Sequence, residues 1–227
     1  MLRFFLVPLL SLPLPIAANA QGFPEPGTLM IYEATTQSGD AAPQTFLFET
    51  EVLSVEGETI VIAECTEWNC TASAYRKFGQ TLIEAEFQGR PEVGLTLSDV
   101  EEITGVGLIT HNYNLDPPFF PLEEGKTITW TEDWSSSNYP ITYQTIMRQS
   151  CCQQMTVGAR AGRDLWELSY VFKELDVPGG TRGVGTYLID PKLGWYVSYE
   201  MVFQYPSGDE IVTDLYSMIL TEVRLPN

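Results

Sequence analysis

The chain is short of positive charge and of imidazole. Its 12 Lys and Arg stand against 30 Asp and Glu, and it has a single histidine, His111. A formal charge of −18 repels nucleic acid and anionic lipid surfaces, so neither is expected as a partner. Ser-His-Asp catalysis needs an imidazole beside a positioned serine, and no Gly-x-Ser-x-Gly elbow accompanies His111. That histidine reads as a strand-end or turn residue. One histidine and four cysteines, Cys65, Cys70, Cys151 and Cys152, supply no ligand set with zinc-like spacing. No Asp-x-Asp-x-Asp-Gly loop offers a calcium site. No metal and no cofactor are therefore expected. Long apolar runs are missing as well: after the first twenty residues, none approaches the roughly 20 uncharged residues that cross a bilayer.

What is present begins with a leader. Arg3 precedes an apolar run from Phe4 to Ala18, interrupted by Pro8, Pro13 and Pro15, with small residues at Ala18 and Ala20. This layout predicts a cleavable signal peptide over residues 1–20, cut after Ala20, and a periplasmic or secreted protein. No cysteine follows the cleavage position, so a lipid anchor is not expected. Residues 21–227 then carry eleven basic against thirty acidic residues, a formal charge of −19, in a length suited to a single domain.

An oxidising destination and an even cysteine count predict two disulfides. Three connectivities are open. Bridging the Cys65/Cys70 region to the Cys151/Cys152 region would close a loop worth about 4 to 5 kcal/mol, against about 2 for Cys65 with Cys70. Adjacent cysteines lie about 3.8 Å apart at Cα, under the usual disulfide range. Cross-pairing of the two sites is the expectation.

From Thr28 onward, β-branched and aromatic residues alternate with polar ones in runs separated by Gly, Pro, Asn and Asp. Strands are expected over Thr28–Thr36, Thr45–Val55, Thr59–Glu64, Thr71–Lys77, Thr81–Gln88, Thr127–Trp134 and Ile141–Gln149. A four-strand meander should follow from Leu165 to Val223. Trp166, Leu168, Tyr170 and Phe172 share one face, opposite Glu167, Ser169 and Lys173. Trp195, Val197, Tyr199, Met201, Phe203 and Tyr205 repeat the pattern, opposite Tyr196, Ser198, Glu200 and Gln204. Leu97–Ile103 alone looks helical, with Ser98 as N-cap and Glu101 three residues on. The fold class is all-β: one domain, a curved antiparallel sheet or sandwich or half-barrel of about 10 to 12 strands.

Two stretches carry a resemblance. Phe120-Pro121-Leu122-Glu123-Glu124-Gly125-Lys126 leads into a strand bearing Trp130, and Gly185 to Trp195 forms strand, Asp190-Pro191-Lys192-Leu193-Gly194 turn and strand. The second half of the chain thereby resembles the DUF3108-like group of bacterial periplasmic proteins. The resemblance implies a curved antiparallel sheet and a cell-envelope setting, and brings no catalytic residue with it.

Three constellations remain. Glu49 with Glu51, and Glu84 with Glu86, are i, i+2 pairs that project together from a strand, as the two carboxylates of a glycosidase must. In a chain with thirty acidic residues, solvated strand faces produce such pairs by chance. The stretch from Trp134 to Arg163 holds no Asp or Glu, and within it Arg148, Arg160 and Arg163 bracket Cys151-Cys152. Neighbouring guanidinium charge favours thiolate, the requirement of a thiol-disulfide protein. No catalytic set is complete, whereas apolar strand residues are abundant. The sequence thus reads as a non-enzymatic exported protein that binds an apolar small molecule or another envelope protein. A two-carboxylate carbohydrate hydrolase and a Cys151/Cys152 thiol-disulfide protein are the alternatives.

Overall fold

The computed structural model describes residues 23–226, except 58, 68, 77–79, 88, 104–109, 114–120, 137–138 and 209. The leader over 1–20 lies outside the described residues. Among the described residues twelve strands form one antiparallel sheet: β1 Leu29–Ser38, β2 Gln44–Glu56, β3 Thr59–Cys65, β4 Cys70–Arg76, β5 Gln80–Phe87, β6 Thr110–Tyr113, β7 Thr127–Ser136, β8 Tyr139–Gln154, β9 Asp164–Glu174, β10 Arg182–Asp190, β11 Trp195–Ser207 and β12 Glu210–Arg224. A single described helix, α1 Leu97–Ile103, lies between β5 and β6. The all-β expectation and the C-terminal meander hold. The short strand β6, around His111, is an addition: four residues are too few for alternation to register in sequence.

The strand order is β5-β4-β3-β2-β1-β12-β11-β10-β9-β8-β7-β6. Two meanders, β1 to β5 and β6 to β12, are thus joined where the first and last strands pair, Leu29 opposite Arg224 through Ser38 opposite Asp214. The outermost strands β5 and β6 approach each other, so the sheet curls on itself. Its inner face holds a continuous core of Met30, Tyr32 and Ala34 from β1, Ile60 and Ile62 from β3, Ile128 from β7, Leu165 and Leu168 from β9, and Leu220 from β12. Aromatic rings cover the centre of this face. Tyr187 stacks on Tyr199 at 4.5 Å and on Tyr170 at 5.5 Å, and Tyr32 packs on Tyr196 at 5.4 Å.

The opposite, outer face is covered only in part. Over β2 to β4, Leu53, Val61, Ala63, Ala72 and Ala74 form a second cluster with Val100 of α1, and the small alanines let the helix lie close. The helix is capped by Thr96, not Ser98. Thr96 N–H donates to Asp99 Oδ2 at 2.7 Å, and Asp99 N–H donates back to Thr96 Oγ1 at 3.2 Å. This reciprocal box forms two residues earlier in the pair Thr96/Asp99 than in Ser98/Glu101, because an aspartate reaches the cap as well as a glutamate does. These bonds also hold the Asp99 carboxyl below its ordinary pKa.

Tyr196 is a further correction. Four successive residues, Trp195 to Ser198, are buried. A bulge between Leu188 and Ile189 shifts the β10 to β11 register, which ends strict alternation there and turns Tyr196 inward onto Tyr32.

The cysteines pair locally: Cys65 with Cys70 across the β3 to β4 hairpin, and Cys151 with Cys152 across a cis peptide bond. Cross-pairing is overturned. Register places Cys65 directly opposite Cys70 on adjacent strands, with Cα atoms 4.1 Å apart, while Cys151 lies on β8, well removed in the strand order. Loop-closure entropy favoured the long bridge, but it acts only between cysteines that the topology brings together.

Beyond Cys152 the chain folds over β12: Ala159 N–H donates to Leu220 O at 2.8 Å. Gly158 makes this approach with φ +88°, and a Cβ there would meet Leu220 O at 2.8 Å and Ile219 Cγ2 at 2.9 Å. Gly158→Ala is therefore expected to cost about 2 to 3 kcal/mol, from left-handed backbone and overpacking together. Gly162→Ala, at φ +73° with open space around it, should cost about 1 kcal/mol. Urea midpoints of the two variants measure the difference, and equal midpoints would show that the close approach to β12 carries no weight.

Candidate functional site

The outer face is open where α1 does not reach, over β8 to β12 and β1. In this region each strand places one aliphatic residue between two polar ones: Ile146 between Gln144 and Arg148, Val171 between Ser169 and Lys173, Val184 between Arg182 and Thr186, Val202 between Glu200 and Gln204, Leu215 between Thr213 and Ser217. Register aligns them. Ile146 opposes Val171, Val171 opposes Val184, Val184 opposes Val202, and Val202 opposes Leu215. The result is an apolar row crossing five adjacent strands, its members 37 to 52% exposed. At about 4.8 Å per strand the row is about 19 Å long. It forms the floor of a groove of about 710 Å³ that Thr35, Gln37 and Pro43 border at the β1 end. Contiguous exposed apolar surface rimmed by polar residues marks interaction sites, and this volume is within the usual range for ligand pockets.

The flanks are charged unevenly. Arg148 lies on one bank beside Ile146, and Lys173 and Arg182 lie on the other beside Val171 and Val184. Glu200, on the β11 side, is the one carboxylate lining the groove among the described residues.

Sequence-based expectations about the site fare unevenly. Glu49 and Glu51 do project together on the outer face of β2, but Arg90 bridges them: it pairs with Glu49 and places Nη1 3.5 Å from Glu51 Oε2. Burial raises the Glu51 carboxyl above its ordinary pKa. Neither residue lines the groove. Glu84 and Glu86 fall on β5, and their side chains lie outside the described residues, as does that of His111. The three arginines are not one cluster. Arg148 is at the groove, while Arg160 and Arg163 both approach Asp190 Oδ2 at 3.4 Å, in the turn between β10 and β11. Their charge is directed to that buried carboxylate, which removes the reason for expecting an activated thiolate at Cys151 or Cys152. Cys151 N–H instead donates to Glu124 Oε2 at 2.5 Å, in the turn that precedes β7. That turn is itself anchored on buried Gln149, whose Oε1 accepts from Glu123 N–H at 2.8 Å.

The five residues of the row escaped sequence reading for a definable reason. Each stands between two polar neighbours on its strand, so no one strand departs visibly from ordinary alternation. Val171 between Ser169 and Lys173, and Val202 between Glu200 and Gln204, were the signal. Only the inter-strand register makes a row of them.

No family model matches the chain, and no curated protein matches it. Among solved structures, it is similar to an exported protein of YmcC-like fold from Bacteroides fragilis, at 15% identity and TM-score 0.42, over 89% of this chain and 98% of that one. It is also similar to the lipoprotein YmcC of Escherichia coli, at 13% identity and TM-score 0.37, over 89% and 90% of the two chains.

Proposed function

We propose that this chain is an exported binding protein that holds an apolar ligand in the groove across β8 to β12. The observation that carries the reading is the register-aligned row Ile146, Val171, Val184, Val202 and Leu215, left exposed on a sheet whose other face is packed and whose outer face is covered elsewhere by α1. The export half rests on the leader pattern ending at Ala20 and on two disulfides, which persist in oxidising compartments. The resemblance to DUF3108-like proteins supports the same setting. Among the described residues no helix is long and apolar enough to cross a membrane, a statement about helical spans alone. The hydrolase reading has less support: the groove offers one carboxylate where two are required, and Glu49 and Glu51 share Arg90.

The test is binding of a neutral apolar probe, N-phenyl-naphthylamine, followed by fluorescence. Val184→Asp puts a charge in the centre of the row on an exposed position, so folding should be preserved while affinity falls by about tenfold or more. An unchanged affinity in a variant of unchanged melting temperature would place the probe elsewhere and overturn the reading.

A further inference from the structure

We infer that the ligand is an anionic amphiphile with one extended alkyl chain, a long-chain fatty acid, lying across the strands with its carboxylate at the β8 to β10 end. The inference rests on the binding reading above and deepens it. Three observations lead to it.

The first is shape. The row is one residue wide, and polar residues stand on both sides of every member, so it matches a single slender chain and not a broad apolar face. Its length of about 19 Å equals that of an extended alkyl chain of roughly fourteen to sixteen carbons.

The second is the use of positive charge. Among the described residues Arg90, Lys126, Arg160, Arg163 and Arg224 are each in an ion pair with a carboxylate. Arg148, Lys173, Arg182 and Lys192 have no such pairing. Three of these four flank the row, which in a chain of charge −18 concentrates uncompensated positive charge on one stretch of surface. Arg182 Nε donates to Gln204 Oε1 at 3.2 Å, a neutral partner that holds its guanidinium beside the row without neutralising its charge.

The third is polarity of the groove. Arg148 lines the β8 end of the groove, with Lys173 and Arg182 across the row from it on β9 and β10, whereas Glu200 lines the β11 half and Pro43 borders the far end. A carboxylate is attracted to the first half and repelled from the second, so the head group has one favourable end and the alkyl tail runs toward Leu215.

The experiment is displacement of N-phenyl-naphthylamine from the purified protein at low ionic strength by hexadecanoate, by neutral hexadecanol and by cationic hexadecyltrimethylammonium. Hexadecanoate is expected to bind about tenfold more tightly than hexadecanol, with the advantage shrinking as salt is added. The double variant Arg148→Gln, Lys173→Gln should lose that advantage and keep its affinity for hexadecanol within about twofold. Equal affinities for acid and alcohol, tightest binding of the cation, or an acid-to-alcohol ratio that the double variant leaves unchanged would each overturn the anionic assignment while leaving probe binding, and so the groove reading, intact. Failure of the wild-type protein to bind the neutral probe at all would instead remove the groove reading itself.

Discussion

Replacing Asp190 with asparagine is expected to lower the free energy of unfolding by about 3 kcal/mol and the melting temperature by roughly 6 to 12 °C. Asp190 is 2% exposed, and its carboxylate receives the charge of two arginines from the loop that follows Cys152. Its other oxygen accepts from Lys192 N–H at 2.8 Å, and its carbonyl accepts from Leu193 and Gly194 N–H, so one residue shapes the β10 to β11 turn and fastens the loop over it. Asparagine preserves size and an acceptor for Lys192 N–H. What it removes is the negative charge, leaving Arg160, itself only 17% exposed, without a counter-charge. Burying an unpaired charge is among the costlier single changes a protein undergoes. Arg163→Gln should cost far less, because Arg163 is 45% exposed and water can replace its partner. Thermal unfolding of the two variants side by side is the check. An Asp190→Asn protein that melts with the wild type would mean that the loop is held by its backbone bonds alone.

Alkaline pH is the second large lever. Burial is the leading cause that raises the phenols of Tyr32 and Tyr196 well above the ordinary tyrosine value, with Glu64 adding to the effect in both. Tyr216, less buried, is pushed up to about 12. A phenol ionises on losing its proton, so a raised value in the folded state means that the unfolded chain releases protons first. The contribution to stability is fully present below about pH 10 and is lost as pH rises above it through the folded-state values. Each buried tyrosine then removes up to about 1.4 kcal/mol per pH unit, so Tyr32 and Tyr196 together remove up to about 3 kcal/mol by pH 11. Urea midpoints should be flat from pH 8 to about 10 and fall steeply above it, and the phenolate absorbance of the buried rings should develop together with unfolding. A Tyr32→Phe variant loses the Tyr32 Oη donation to Tyr196 O at 2.9 Å and should be weaker at neutral pH yet decline less steeply above pH 10. Tyrosines that titrate freely near 10 in a folded protein would contradict this account.

Much of the fold was legible because strand alternation and turn residues are local. The hairpins around Glu56-Gly57, Pro178-Gly179-Gly180 and Pro206-Ser207-Gly208 reverse the chain where their residues favour it, with Gly57, Gly179 and Gly208 at positive φ. What failed depends on register. The Cys65 to Cys70 pairing, the inward turn of Tyr196 and the row on the outer face are all set by which residues lie opposite each other on neighbouring strands. A bulge at Val197 in β11 or a pairing between β1 and β12 leaves no mark within a window of ten residues. The carboxylate and arginine constellations were read from sequence proximity. Their partners, Arg90 and Asp190, lie 39 residues from Glu51 and 27 from Arg163, beyond the reach of such a reading.

The pairing of β1 with β12 also bears on how the protein is made. The first strand of the sheet has its neighbour on one side only until the last strand emerges, nearly 200 residues later, and the two meanders have no hydrogen-bonded seam before then. Contacts of such sequence separation are entropically costly to close and slow to form. A chain emerging progressively, N-terminus first, can therefore build hairpins but not the joined sheet. Closure of the sheet is therefore a late event, tied by the topology to the appearance of its last strand.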